Sequence, residues 1–230
     1  MKNCNTPCNL QKCFMCRLAL NEWKPAIDSH RKNFLAKKGE LILKEGDPVT
    51  GIYFVYNGNV KVHKKWGDKE LIVRFANEGK IIGHRGLSTK SSVYPVSATA
   101  LEPTSLCFID IDFFLSTLKV NHDLAFNLMM FYADELQESE KKMRNLALMS
   151  VKSRLAVALF HLKDLFGTDD EDCINVELSR QDLAAFAGAT YETVFRMMND
   201  LVQENLIALT GKKIRITDEE KLRDLTIEAQ

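Results

Sequence analysis

Leu178-Ser179-Arg180-Gln181-Asp182-Leu183-Ala184-Ala185-Phe186-Ala187-Gly188-Ala189-Thr190-Tyr191-Glu192-Thr193-Val194-Phe195-Arg196 is the stretch on which the reading of this chain turns. Ser179 is a good helix N-cap, and Asp182 three residues later is a capping-box-like partner. Leu183, Ala184, Phe186 and Ala187 make a short apolar face, and Gly188 ends that helix. Thr190 is placed to cap a second helix, which turns Val194, Met197, Met198, Leu201 and Val202 inward. Two short helices joined across a glycine, with the small Ala184 near their crossing, predict a helix-turn-helix. Leu206 to Ile216 then reads as strand, turn at Gly211-Lys212-Lys213, and strand, which is a wing.

In such a motif the second helix enters the major groove of double-stranded DNA with its N-terminal residues facing base edges. The outward positions here are Tyr191, Glu192, Phe195, Arg196 and Asn199. A glutamate can accept from a cytosine amino group, and an arginine can make a two-pronged bond to guanine. The i,i+4 spacing of Glu192 and Arg196 also permits a plain surface ion pair. Ser179, Arg180 and Thr190 at the helix starts, and Lys212 and Lys213 on the wing, complete the candidate DNA-binding set. From Arg180 to Thr217 five basic residues face four acidic ones. Pattern, not charge, carries the expectation.

Working outward, glycine and proline divide the chain. Eight of the eleven glycines lie between Gly39 and Gly86, and all five prolines fall at or before Pro103. A Gly-punctuated first half predicts short strands and tight turns, and a breaker-free second half predicts helices. The runs Glu40–Leu43, Ile52–Tyr56, Val60–Lys64, Glu70–Phe75, Ala98–Ala100 and Leu106–Ile109 suggest a compact β-barrel or roll. Residues 121–149 lack Gly and Pro and repeat apolar residues at Leu124, Leu128, Tyr132, Leu136 and Met143, one helical stripe. A helix of that extent is about 40 Å long. That exceeds what a small barrel covers, so the stripe reads as a seam between two chains. Residues 151–166 predict a further helix, followed by an acidic loop that reads as solvated. The fold class is α+β: a cysteine-rich segment over 1–20, a β-roll over 21–119, a dimerisation helix over 120–149 and a winged helix-turn-helix over 150–230.

The chain's 46% apolar and 27% charged residues suit a globular protein, and 31 basic residues balance 31 acidic ones. No global field points to a nucleic-acid or membrane partner. No apolar stretch is long enough to cross a bilayer, and Met1-Lys2-Asn3-Cys4 opens no signal peptide, so the expected compartment is the cytoplasm with no membrane partner. Nucleophile elbow, P-loop, dinucleotide fingerprint and H-E-x-x-H are all missing, so no enzyme is expected.

Four of the six cysteines fall in the first sixteen residues, as Cys4-x3-Cys8-x4-Cys13-x2-Cys16, with Cys107 and Cys173 elsewhere. Close thiolates can wrap an iron–sulfur cluster or a tetrahedral zinc. The alternative is a set of free thiols, with no metal, on a floppy N-terminus; either way these thiols are expected on an exposed segment.

The chain resembles the Crp/Fnr family of bacterial transcription regulators over nearly its whole length. The likeness rests on Lys38-Gly39-Glu40 through Glu45-Gly46-Asp47 and on Gly51-Ile52-Tyr53-Phe54-Val55-Tyr56-Asn57-Gly58-Asn59-Val60-Lys61-Val62, which look like the opening of a cyclic-nucleotide-binding-type β-roll. It rests equally on Leu178 to Ala184 and Tyr191 to Arg196 in the winged helix. The resemblance implies a homodimer zipped along the long helix, a two-fold symmetric DNA site and RNA polymerase as a partner. Glu192 and Arg196 match the family's base-reading pair. Phe195 stands where relatives commonly carry a small residue; its ring either touches a thymine methyl group or packs between helices.

Nucleotide-binding relatives hold the cyclic phosphate with a Gly-Glu pair and a later Arg-Ser or Arg-Thr pair. Here Gly83-His84-Arg85 puts His84 in place of the glutamate, and Tyr94-Pro95 falls where the cation is expected. Arg85 is a substitute on the wrong element, and His84 reads as a surface or hydrogen-bonded loop residue. A cyclic nucleotide is therefore the alternative effector, and a haem-bound gas on His30, His63, His84, His122 or His161 a third. The resemblance favours iron: the oxygen-sensing branch carries three N-terminal cysteines plus one in the β-roll, where Cys107 falls. Either three of Cys4, Cys8, Cys13 and Cys16 join Cys107, or those four act alone and Cys107 is simply buried. Cys173 is expected to be an unligated thiol.

Overall fold

The computed structural model describes residues 1–3 and 12–227. The strands are β1 Lys2–Asn3, β2 Arg31–Ala36, β3 Leu41–Leu43, β4 Gly51–Asn57, β5 Val60–Trp66, β6 Lys69–Ala76, β7 Ile81–Ile82, β8 Ser97–Ala100, β9 Thr104–Asp110, β10 Ile207–Thr210 and β11 Lys213–Ile216. The helices are α1 Phe14–Leu18, α2 Lys24–His30, α3 Ile111–Val120, α4 His122–Leu148, α5 Val151–Phe166, α6 Arg180–Ala187, α7 Tyr191–Gln203 and α8 Glu219–Asp224. The chain forms two compact units, Met1–Gln137 and Glu138–Gln230, so the boundary falls inside α4.

In the first unit a five-stranded sheet, β1-β2-β9-β4-β7, and a four-stranded sheet, β3-β8-β5-β6, make the roll, with antiparallel pairing throughout. β4 and β9 are apolar on both faces because each serves two cores. Alternate residues of a strand point to opposite faces. Tyr53, Val55, Leu106 and Phe108 therefore face the core between the sheets, with Ile42, Val62, Tyr94 and Val96. Ile52, Phe54, Cys107 and Ile109 face a second core roofed by helices, with Met15, Ile27, Phe114, Leu124 and Leu128. Gly51 opens β4 because a Cβ there would meet Ile109 O at 2.3 Å and the Phe108 ring at 2.4 Å.

That second core corrects two expectations. Leu124 and Leu128 belong to the chain's own interior, at 0% and 4% exposure, and the Tyr132 hydroxyl donates to the carbonyl of His84. Of the residues expected in the seam, Leu136 and Met143 stay exposed. Phe126, Met129, Met130 and Leu136 are the exposed apolar residues in the part of α4 within this unit, and Met143 is exposed further along the helix. Cys13 and Cys16 do not sit on an exposed segment either. Cys13, at the start of α1, and Cys16, within it, are buried in the second core. Gly79 seats them: its φ is +83°, its carbonyl accepts from Phe14 N at 3.2 Å, and a Cβ would meet Lys12 O at 2.5 Å.

The second unit is built on α5, whose Leu155, Ala156, Leu159 and Leu162 are buried. α6, α7 and the antiparallel pair β10–β11 follow the expected helix-turn-helix and wing. Gly188 caps α6 in the left-handed region (φ 66°), which a glycine enters without steric cost.

Candidate functional site

α7 divides by face. Val194, Met198 and Leu201 are buried and Met197 is half-buried, whereas Tyr191, Glu192, Phe195, Arg196 and Asn199 are exposed; Val202, expected inward, is exposed as well, near the end of the helix. Thr190 accepts from the Thr193 amide at 3.3 Å and Ser179 from the Asp182 amide at 3.0 Å, so both hydroxyls are spent on capping. Among the described residues no ion pair joins Glu192 to Arg196, which leaves both heads available. Phe195 is 50% exposed, so its ring does not pack between helices; it stacks instead on Tyr191, 6.1 Å between centroids and 16° between planes.

The cations differ in circumstance. Arg180 donates to Gly211 O at 3.2 Å, tying the start of α6 to the wing turn. Lys213 pairs with Asp169 at 2.8 Å and Glu171 at 3.1 Å, and those hydrogen bonds raise its pKa. Lys213 is thus a strut between the acidic loop and the wing, and the loop is not merely solvated. Lys212, at the wing tip, is exposed. Arg154, which sequence reasoning passed over, donates from Nε to Ala187 O (2.9 Å), from Nη2 to Gly188 O (3.1 Å) and from Nη1 to Met149 O (2.9 Å). It fastens the turn between α6 and α7 through carbonyls that a helix end leaves open.

In the first unit the loop that resembles a phosphate cradle is closed by Tyr94 and by Glu135 of α4. Tyr94 is buried; its hydroxyl donates to Gly51 O at 2.7 Å and accepts from Gly51 N at 3.2 Å. Arg85 donates to Glu135 Oε2 from Nη2 at 2.5 Å and from Nε at 3.1 Å, and Arg74 Nε lies 3.5 Å from Glu135 Oε1. His84, expected to be a surface or hydrogen-bonded loop residue, is not on the surface: it is 1% exposed behind Gly83 (φ 87°), its Nε2 3.7 Å from Glu135 Oε2. Burial lowers the His84 pKa to about 4. Burial alone raises that of Glu135, but His84 and the Arg74 and Arg85 charges outweigh it and hold the carboxyl at about 2.

Of the sulfur candidates, Cys4 and Cys8 lie outside the described residues. Cys13 and Cys107 line one small pocket with Lys12, Phe54, Val55, Tyr56, Glu78 and Gly79. Cys16, 1% exposed, is in the same core but is not part of that lining. Among the described residues the place where three potential metal-ligating side chains converge within 4.8 Å is Asp169, Glu171 and Cys173, and there the Lys213 ammonium is seated on the carboxylates. Of the histidines, His63 is held by Thr99 at 2.9 Å and Glu70 at 3.1 Å, and His30 stacks on Phe113.

Residues 153–225 match the family model of the Crp-like helix-turn-helix domain, and residues 35–121 match that of the cyclic nucleotide-binding domain. The chain is 30% identical over 200 residues to the "Anaerobic regulatory protein" of Bacillus subtilis (strain 168), covering 85% of this chain and 83% of that one. The chain belongs to the Crp/Fnr family of transcription regulators. It is also 26% identical to "Transcriptional activator protein FnrA" of Stutzerimonas stutzeri over 90% of this chain and 85% of that one. Against the "cAMP-activated global transcriptional regulator CRP" of Salmonella typhimurium it is 29% identical over 75% and 83%. In fold it is similar to FixK2 from Bradyrhizobium japonicum, with a TM-score of 0.76 at 23% identity, covering 87% of this chain and 99% of that one. It is a DNA-binding transcription regulator of the Crp/Fnr type, a family whose members bind DNA, typically as dimers. No helix among the described residues is long and apolar enough to cross a membrane.

Proposed function

We propose that this regulator is a homodimer that reads a two-fold symmetric DNA site and responds to oxygen or redox state through cysteine-ligated metal, an iron–sulfur cluster. The carrying observation is that Cys13 from the N-terminal segment and Cys107 from β9 line one pocket. Thiol donors from these two places favour a ligand set that combines N-terminal cysteines with Cys107 over four N-terminal thiols alone. A cluster, when bound, supplies oxygen-labile iron–thiolate bonds.

The chain's own residues carry the response onward. Cys13, Cys107, Leu124 and Leu128 share one core, so a change in how α1 seats against β9 alters the packing under the first turns of α4. The exposed face of α4, with Phe126, Met129 and Leu136, is the surface that meets the second protomer. A two-state shift of that helix sets the spacing of the two recognition helices. That relatives such as FnrA of Stutzerimonas stutzeri are transcriptional activators supports RNA polymerase as the partner acted upon.

Against a cyclic nucleotide stands the closed loop: Arg85 is spent on Glu135 and Tyr94 on the Gly51 backbone, so neither is left to meet a buried phosphate. Protein purified without oxygen should be brown, contain iron and sulfide, and bleach in air; Cys13→Ser or Cys107→Ser should each abolish the colour. Colourless anaerobic protein that binds cyclic AMP tightly overturns the proposal, and stoichiometric zinc without sulfide replaces the cluster by zinc.

A further inference from the structure

Phe195 is an outward aromatic side chain in the N-terminal half of α7, where the other exposed residues apart from Tyr191 are the polar Glu192 and Arg196. Its neighbours in sequence show the contrast: Val194 at 0% exposure and Met198 at 1% fill the core, whereas Phe195 is 50% and Tyr191 47% exposed. Phe195 is therefore not held outward by a shortage of interior. A scattered exposed apolar residue needs no explanation, but two aromatic rings stacked on one another beside Glu192 and Arg196 form a built surface.

We infer that Phe195, steadied by Tyr191, is a specificity-determining residue that reads the C5-methyl group of a thymine next to the base pair read by Arg196. The inference rests on α7 entering the major groove. There thymine alone among the bases presents a methyl group, and phenyl rings make apolar contact with it. Phe195 and Arg196 are adjacent on the exposed face, so contacts from the two fall on neighbouring positions of the duplex. Tyr191, one turn nearer the N-terminus, is about 6 Å along the helix axis. Stacking at 16° limits the tilt of the phenyl ring. A small residue at position 195 would leave that methyl group in water.

The test begins by selecting half-sites from a random duplex library with wild-type protein, then replacing each selected thymine by deoxyuridine, which removes only the methyl group. One position should lose about fourfold in affinity, the worth of one buried methyl-sized group. Phe195→Ala and Phe195→Ser should bind the dT and dU duplexes alike at that position while still discriminating at the Arg196 base pair. Both variants change an exposed side chain, and circular dichroism confirms their folding. Half-sites without a selected thymine, or a dT/dU difference that persists in Phe195→Ala, overturn the methyl reading while Arg196→Ala still relaxes its own base pair. Should Arg196→Ala bind every sequence as wild type does, the placement of α7 in the groove fails, and this inference with it.

Discussion

Arg196 and Lys213 carry the same charge under opposite conditions, and their replacement should separate specificity from structure. Arg196 has an exposed head with no ion pair among the described residues. Arg196→Ala is expected to cost about 1–3 kcal/mol on the preferred site and to relax discrimination at one base pair per half-site, measured by competition among single-base variants. Lys212→Ala should weaken binding to all sequences and reduce the salt slope by about one, as loss of a phosphate contact does. Lys213→Ala should leave that slope nearly unchanged, because its ammonium already answers Asp169 and Glu171. Its signature belongs to the loop: the Cys173 amide, which donates to Asp169 at 3.0 Å, should exchange hydrogen faster. A full unit of salt slope lost in Lys213→Ala would return that lysine to the DNA.

At the scale of the element, α4 shows what periodicity can and cannot tell. The stripe Leu124, Leu128, Tyr132 was legible as a helical face, and so was the helix length. The partner of the face was not, because Leu136, read on the same stripe, lies beside a second apolar line through Phe126 and Met129, and spacing alone does not rank the two. Burial ranks them: Leu128 is 4% exposed and Leu136 61%. Leu128→Ala should thus cost about 2–5 kcal/mol of folding stability without changing the oligomer. Leu136→Glu should dissociate the dimer in analytical ultracentrifugation and leave the protomer folded; an intact dimer would move the interface off this face. The strands of the roll and the helix-turn-helix were readable for a related reason, since glycine turns and Ser179 and Thr190 caps mark their ends. α1 was not readable: its five residues are too few to show a period, and only their burial in the second core shows that Cys13 and Cys16 are interior. Arg154 was equally silent, because it binds backbone carbonyls and leaves no side-chain partner in the sequence.

For the whole molecule, two compact units with different buried chemistry should respond differently to acid. His84, Arg74, Arg85 and Glu135 all belong to Met1–Gln137. In the unfolded chain a histidine takes up a proton near pH 6.5, but folded His84 does so only at about 4, because burial disfavours its charged form. Between those values the unfolded state binds more protons, so stability falls as pH falls. Glu135 acts in the same direction at lower pH: its folded value of about 2 lies below the 4.5 of a free carboxyl, so its contribution is present above 4.5 and lost as pH drops toward 2. At pH 5 the histidine alone should cost the first unit about 2 kcal/mol relative to pH 7.5. Hydrogen exchange should show protection falling most in β4, β9 and the first turns of α4, while α5 to β11, where burial also lowers the pKa of the more exposed His161, lose less. His84→Gln, which has no proton to gain, should flatten the pH dependence of the first unit even if it lowers the starting stability. Equal acid sensitivity in both units, or an unchanged slope in His84→Gln, would place the titrating group elsewhere.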